Sequence, residues 1–297
     1  MTASALSRGP SAWSRLYGFG SVFAKTIRDS RRATLITAGV LGLVFLGVSR
    51  AITAEFDTPQ SRAELENLVA AVPPILQGMA GKVVNVGTLG GYLQYKYGVF
   101  FPLVVSLWSI LALSGTLAGE TQRGSLEFVL ATGRSRRRVA LEKLSGHVLM
   151  LGLAVLVAFG SIAVAGQAFA ELPGDEISVL SAFGYAAWLG LLALTAGALA
   201  FALGPFVGRG AAAGIAGAVT FAGFITNGYR APVPELEPFA NLTWWGWTYD
   251  HVALAGEYDW PAVLLVAGVA VALLAVGVEA VARRDVGVTT ALPAPSF

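Results

Sequence analysis

Apolar positions gather into six long runs, at about 33–53, 99–118, 144–170, 177–204, 208–227 and 260–282, and polar positions collect between them. A helix needs about 20 mostly apolar residues to cross a bilayer. The pattern therefore predicts an all-α polytopic membrane protein with six transmembrane helices in one transmembrane domain covering 1–297. An even number of spans puts both termini on one side.

Before the first run, Leu16, Phe19, Phe23 and Ile27 recur every three or four residues, with Lys25, Arg28, Asp29, Arg31 and Arg32 mostly on other positions. That spacing predicts an N-terminal amphipathic helix within 1–32 lying on the membrane surface, although Gly18 and Gly20 weaken it. No small-residue cleavage site follows a short apolar core there, so the first run is expected to stay as a span. Between the first two runs, 54–98 is long enough to hold structure. Ser61 and Glu64 have capping-box spacing, and Leu65, Leu68, Val69 and Val72 continue a helical stripe as far as Pro73 and Pro74. Between the last two runs, Pro232, Pro234 and Pro238 break up 228–259, and Trp244, Trp245, Trp247, Tyr249, Tyr258 and Trp260 crowd behind them. An aromatic belt at the headgroups is favoured there over a ligand-stacking site, and a shallow re-entrant segment is a further option.

Gly204, Pro205, Gly208, Arg209 and Gly210 predict a tight hairpin between runs four and five. Gly210 and Gly214 then have GxxxG spacing among alanines, which predicts close packing against another helix, of this chain or of a partner. The segment from Gly287 onward predicts an unstructured tail.

Composition agrees with this division. The chain is 55% hydrophobic and 13% charged, against roughly 45–50% and 25% in soluble domains. Most lysines and arginines flank one set of run ends, from Arg8 to Arg32, Arg123 to Lys143, Arg209, and Arg283 with Arg284. The positive-inside rule makes that side cytoplasmic, with both termini on it. The opposite loops are instead rich in Asp and Glu. A net charge of +2 is too small for a nucleic-acid binder. With no cysteine, and only His147 and His251, there is no disulfide framework and no multi-ligand metal site.

Candidate catalytic chemistry is scarce. The nearest approach to a phosphate loop, Gly18 to Thr26, has Ala24 where a glycine should precede Lys25, and no strand leads into it. HExxH, GxSxG and paired intramembrane carboxylates are missing. Glu279 pairs at i, i+4 with Arg283, while Gln167 and His147 lie close to span ends, where polar tips reach water. An ion-coupled carrier would place charges near the midplane, and the spans carry almost none. The expectation is a chain that is not itself an enzyme.

The charged island from Gly119 to Lys143, GETQRGSLEFVLATGRSRRRVALEK, holds the most specific signal. Its first half is expected to form a short amphipathic helix, with Leu126, Val129 and Leu130 on one side and Arg123 and Glu127 elsewhere. Gly133 ends that helix, Ser135 caps the next, and Arg136, Arg137 and Arg138 meet the anionic inner surface. Arginines in a first turn oppose the helix dipole, so they act there as topology signals.

The run Glu120, Thr121, Gln122, Arg123, Gly124, Ser125, Leu126, Glu127, Phe128, Val129, Leu130, Ala131, Thr132, Gly133, Arg134, Ser135, Arg136 resembles the loop after the second span of type-2 ABC transporter permeases. Glu120, Gly124, Ser125, Leu126, Glu127, Leu130, Ala131, Thr132, Ser135, Arg136 and Lys143 fit that pattern, and Gly133 replaces its usual proline. Arg283, Arg284 and Asp285 are similar to the family's last span end. The resemblance implies the membrane subunit of an ATP-binding-cassette exporter in the cytoplasmic membrane of a prokaryote, moving a hydrophobic or amphipathic substrate. It implies a coupling helix at about 121–131 that docks an ATPase through Glu120, Arg123, Gly124, Ser125, Leu126, Glu127, Leu130, Thr132, Ser135 and Arg136. ATP and Mg would be held by that separate ATPase subunit and not by this chain, and a second permease copy, homodimeric or paired, is implied. A membrane scaffold using the same loop to bind a cytosolic partner is the alternative.

Overall fold

The computed structural model describes residues 21–78, 80, 82–117, 119, 131 and 133–283. Among them the chain is helical, with only an isolated bridge between Val252 and Glu257 in place of a sheet. The long helices are α1 (Val22–Glu55), α5 (Phe100–Thr116), α6 (Arg136–Ala168), α7 (Val179–Tyr229) and α10 (Trp260–Arg283). Shorter pieces are α2 (Pro59–Ala70), α3 (Pro74–Gln77), α4 (Leu89–Tyr97), α8 (Glu237–Ala240) and α9 (Trp244–Trp247). Four helices, α1, α6, α7 and α10, are long and apolar enough to cross a membrane, and a fifth span is made if α4 and α5, bent by 45° at their junction, are taken together.

At 34 residues, α1 has no Gly or Pro to break it before Gly39. The expected surface helix is thus, over 22–32, the first turns of α1 and not a separate element. Leu16 and Phe19 lie outside the described residues, as does the tail from 284 onward. At about 1.5 Å per residue α1 is roughly 50 Å long, which exceeds a hydrocarbon core of about 30 Å.

The 51-residue α7 contains one non-helical residue, Gly208, at φ 78 and ψ 170. Side chains are excluded from that region, so only glycine turns the chain there at low cost. Trp188 and Asn227 line the same cavity, whereas a straight helix would hold them about 60 Å apart. The chain therefore folds back at Gly208, and α7 consists of two arms, 179–207 and 209–229. A Cβ at Gly210 or Gly214 would meet nothing within 4 Å, so the GxxxG face packs on no described part of this chain.

Helix α1 lies along α6, while α7 packs on α5, α6 and α10. The main core centres on Phe45, whose ring meets Phe101 edge-on at 4.8 Å and Tyr185 at 5.7 Å. Tyr185 donates to the Tyr97 carbonyl at 2.9 Å, which pins α7 to the bend between α4 and α5. A smaller cluster at the other end joins Val22, Leu113, Val139, Phe201, Val278 and Val281. The first and last described helix ends therefore sit together, at what we call the basic end.

The opposite, loop-bearing end differs from its sequence reading in two respects. Helix α2 starts earlier than Ser61: Thr58 is its N-cap and Ser61 answers it from the third position, so the capping box is Thr58 with Ser61. Pro59 in the first turn favours this register. Leu65 and Val69 are buried, but Leu68 faces out. Second, Trp244 and Trp245 are core residues and not a belt: both are buried, and Trp245 meets Phe224 edge-on at 5.9 Å.

Candidate functional site

The charged island enters and leaves the structure at the basic end. Glu120, Arg123, Gly124, Ser125, Leu126, Glu127, Leu130 and Thr132, and with them the expected coupling helix, lie outside the described residues. Ser135 and Arg136 lie within them. Ser135 caps α6, its hydroxyl accepting the Arg138 N–H at 3.3 Å, and Arg136 follows half-buried in the first turn. Gly133 has φ +78. A proline, fixed near −65°, cannot take that conformation, so the turn here differs from the one a proline would make.

Two adjacent residues about two turns into α6 tie the far side of the island to other helices. Glu142 Oε2 accepts the N–H of Val22 at 3.0 Å and of Phe23 at 3.3 Å, the first donors of α1. Helix N-termini leave such donors without intrahelical partners and favour an anion beside them. The same carboxylate binds Arg134 at 2.9 Å and Arg138 at 3.0 Å. Lys143, 5% exposed, donates from Nζ to the Thr116 carbonyl at 2.8 Å. That carbonyl is at the last turn of α5, where a cation satisfies an orphan acceptor and complements the dipole. The Arg209 guanidinium lies over Gly115, about 3.6 Å from where a Cβ would stand. Close contact completes the frame, since a Cβ on Gly146 would come within 2.9 Å of Thr26.

The island thus hangs from Thr116 on one side and from Ser135 to Lys143 on the other, with Lys143 joining the two sides. Glu142 ties the start of α6 to α1, and Lys143 ties it to the end of α5. Neither clamp is readable from spacing, because the partners of Glu142 and Lys143 lie far away in sequence. The only signal is a Glu-Lys pair just before an apolar run begins.

His147 does not reach water as expected: it is 2% exposed, its Nε2 lies 2.9 Å from Ser109 Oγ, and Trp108 stacks on its ring at 5.2 Å. Among the described residues no carboxylate is hydrogen-bonded to the imidazole, so no third member of a hydrolytic triad stands beside this pair there. Glu279 and Arg283 pair as expected. No metal-binding group of three or more His, Cys, Asp or Glu occurs among the described residues.

At the loop-bearing end, Arg62 and Asp175 form a buried pair at 2.8 Å that sequence reading treats as two loop charges. Three other cations there are paired, Arg50 with Glu171, Lys82 with Asp250 and Arg230 with Glu237. Compared with models of known protein families and with curated protein sequences, the chain matches none.

Proposed function

We propose that this chain is the membrane subunit of an ATP-binding-cassette exporter, carrying a hydrophobic or amphipathic substrate across the cytoplasmic membrane of a prokaryote. The observation that carries this reading is the 119–143 segment, a permease-like motif whose C-terminal end is tied to two different helices by Glu142 and Lys143. Under this reading the basic end is cytoplasmic, and the six spans are α1, the α4–α5 pair, α6, the two arms of α7, and α10. The shared cluster of Val22 with Val278 and Val281 supports an even count.

ATP and Mg belong to a separate ATPase subunit that docks on the island, with Leu126 and Leu130 in a groove and Glu120 and Glu127 accepting ion pairs. ATP binding then moves the island as a rigid body, and Glu142 and Lys143 pass that motion to α1 and α5. The different affinity of the ATPase's two states for ATP supplies the energy. One six-span chain makes half a pathway, so a second permease copy is part of the proposal. Any close helix contact through Gly210 and Gly214 would be made by that second chain.

The test is the double substitution Leu126→Asp with Glu127→Arg. It reverses one charge and puts a carboxylate on the docking face, and a buried unpaired charge at an interface costs several kcal/mol. Membrane insertion and thermal unfolding should be unchanged, while co-purification of the ATPase falls by at least tenfold. An unchanged yield of ATPase with the variant would make the island a topology signal only.

A further inference from the structure

Helix α1 is about 20 Å longer than a hydrocarbon core is thick, and its charges decide where the excess lies. Between Arg32 and Arg50 the sequence carries no charged residue, and that interval rises about 27 Å, close to a core of about 30 Å. At one limit Arg50 is paired with Glu171 at 2.8 Å. Arg31 and Arg32 stand at the other, and residues 22–30 continue past it to the basic end. We propose that Arg31 and Arg32 form a binding site for the headgroup of an anionic phospholipid in the leaflet at the basic end. This inference needs α1 to cross a membrane but stands apart from the exporter reading.

Charge selects the head of that ligand. Both arginines are exposed, and among the described residues neither makes an ion pair or a side-chain hydrogen bond. The carboxylate nearest in sequence, Asp29, is held by Arg28 at 3.2 Å. A guanidinium binds phosphate through parallel N–H donors, and basic residues at a membrane surface are drawn to anionic lipids. A zwitterionic headgroup brings its own ammonium to the same place, so two unmatched guanidinia favour a headgroup with net negative charge. The rest of the helix selects the tail. Leu35 follows both arginines by one turn, Ile36 follows Arg32, and these two are exposed together with Val40 and Leu43, while Thr34, Ala38, Leu41 and Phe45 bury the other side of the helix. Side chains on a helix lean toward its N-terminus, here the basic end, so the guanidinia reach headgroup level while their stems stay against apolar chains. A soluble polyanion would match the arginines and leave the leucines bare. Only a molecule with an anionic head and apolar chains meets both.

The site is local to that turn of α1. Helices α1 and α6 run in the same direction, since Gly146 lies against Thr26 and Gly42 against Ser161. Glu142 meets the first residues of α1, and Arg137 precedes Glu142 in α6, so Arg137 stands at least about 15 Å from Arg32 along the bundle. That distance exceeds the screening length of about 8 Å at physiological salt. Arg137 is also exposed and also makes no ion pair among the described residues. It carries the same charge without the apolar stripe beside it.

The whole chain, purified in an uncharged detergent, is titrated with phosphatidylglycerol and, separately, with phosphatidylcholine of the same chain length, and bound lipid is counted by native mass spectrometry. Phosphatidylglycerol should bind at least tenfold more tightly, since each arginine near an anionic headgroup contributes about fivefold, the ratio that corresponds to about 1 kcal/mol. Arg31→Gln with Arg32→Gln should abolish the preference without lowering the thermal unfolding temperature, because both positions are exposed. Arg31→Lys with Arg32→Lys, which keeps the charge, should retain most of it. Arg137→Gln should change it less than twofold, and glycerol phosphate, a head without chains, should not displace the lipid. Equal binding of the two lipids, a preference that survives in the glutamine pair, or an equal loss in Arg137→Gln would each overturn the proposal and leave a diffuse basic surface. Displacement by glycerol phosphate would overturn it in favour of a site for soluble anions.

Discussion

Asp175 and Glu142 do the same chemical work at opposite ends of the molecule. Asp175 binds Arg62 and accepts the N–H groups of Leu89 and Leu172 at 2.8 and 3.3 Å. Glu142 binds Arg134 and Arg138 and accepts the N–H groups of Val22 and Phe23. What differs is burial. The Asp175 side chain is 1% exposed and its arginine 6%, whereas Glu142 is 16% exposed and its arginines are 28% and 69%. Arg62 also donates to the Phe56 and Gly87 carbonyls, so the buried Asp175–Arg62 pair ties α2 to three loop segments, at Phe56, at 87–89 and at 172–175. The Glu142 knot sits where water can replace either arginine during a movement. One carboxylate locks an end, and the other ties an end that can still yield.

Removing the buried anion should have the largest effect. Asp175→Ala leaves Arg62 charged in a dry site and strands two backbone donors, and breaking such a pair costs about 3–5 kcal/mol. Thermal unfolding in detergent should show a drop of that order. Adding Arg62→Met should recover part of it, but not all, since Leu89 and Leu172 still lack an acceptor. A loss below about 1 kcal/mol for Asp175→Ala would mean that water reaches the pair, and the contrast with Glu142 would fail.

Glu142→Ala should cost less, about 1–2 kcal/mol, in the range for losing an anion and cap at a helix N-terminus. Its two arginines keep their hydration, so no buried charge is left behind. Hydrogen exchange should accelerate over the first turn of α1, at Val22 and Phe23, while Leu89 stays protected. Equal losses for Glu142→Ala and Asp175→Ala would show that burial is not what separates the two ends.

How far these arrangements could be read from the chain follows from the range of the interactions. The all-α class and the long apolar helices are properties of local composition, and so is the glycine-bearing turn between runs four and five. The Glu279–Arg283 pair was legible for the same reason, being one helical turn long. Contacts across 113 positions, as between Arg62 and Asp175, leave no local trace. Aromatic residues mislead because composition does not say which way a ring faces: Trp244 and Trp245 look like a headgroup belt and are instead packed on α7. The capping box shifted because two hydroxyl residues, Thr58 and Ser61, compete for one helix start, and Pro59 decides between them. At the candidate site, the island's motif is written in consecutive residues, but the anchoring roles of Glu142 and Lys143 exist only once α1 and α5 are in place.

The smallest effect tests whether the loop-bearing end is as dry as the Asp175 knot suggests. His251 is 2% exposed, and its burial lowers its pKa below the ordinary 6.5, despite the Gly184 carbonyl at 3.5 Å and the nearby Asp259 carboxylate, which act the other way. A histidine depressed on folding binds its proton more readily when the chain is unfolded. Its contribution is therefore fully present above the unfolded pKa near 6.5 and is lost as pH falls from there toward the lower folded value. The slope cannot exceed about 1.4 kcal/mol per pH unit for one proton. Protonation would also remove the acceptor that Nδ1 offers to the Asp259 N–H. Stability should thus decline as pH falls below about 6.5, and the decline should be shallower in His251→Gln, which can still accept from that N–H without titrating. If the wild type and His251→Gln lose stability in parallel across that window, water already reaches His251, and the loop-bearing end is as open as the basic one.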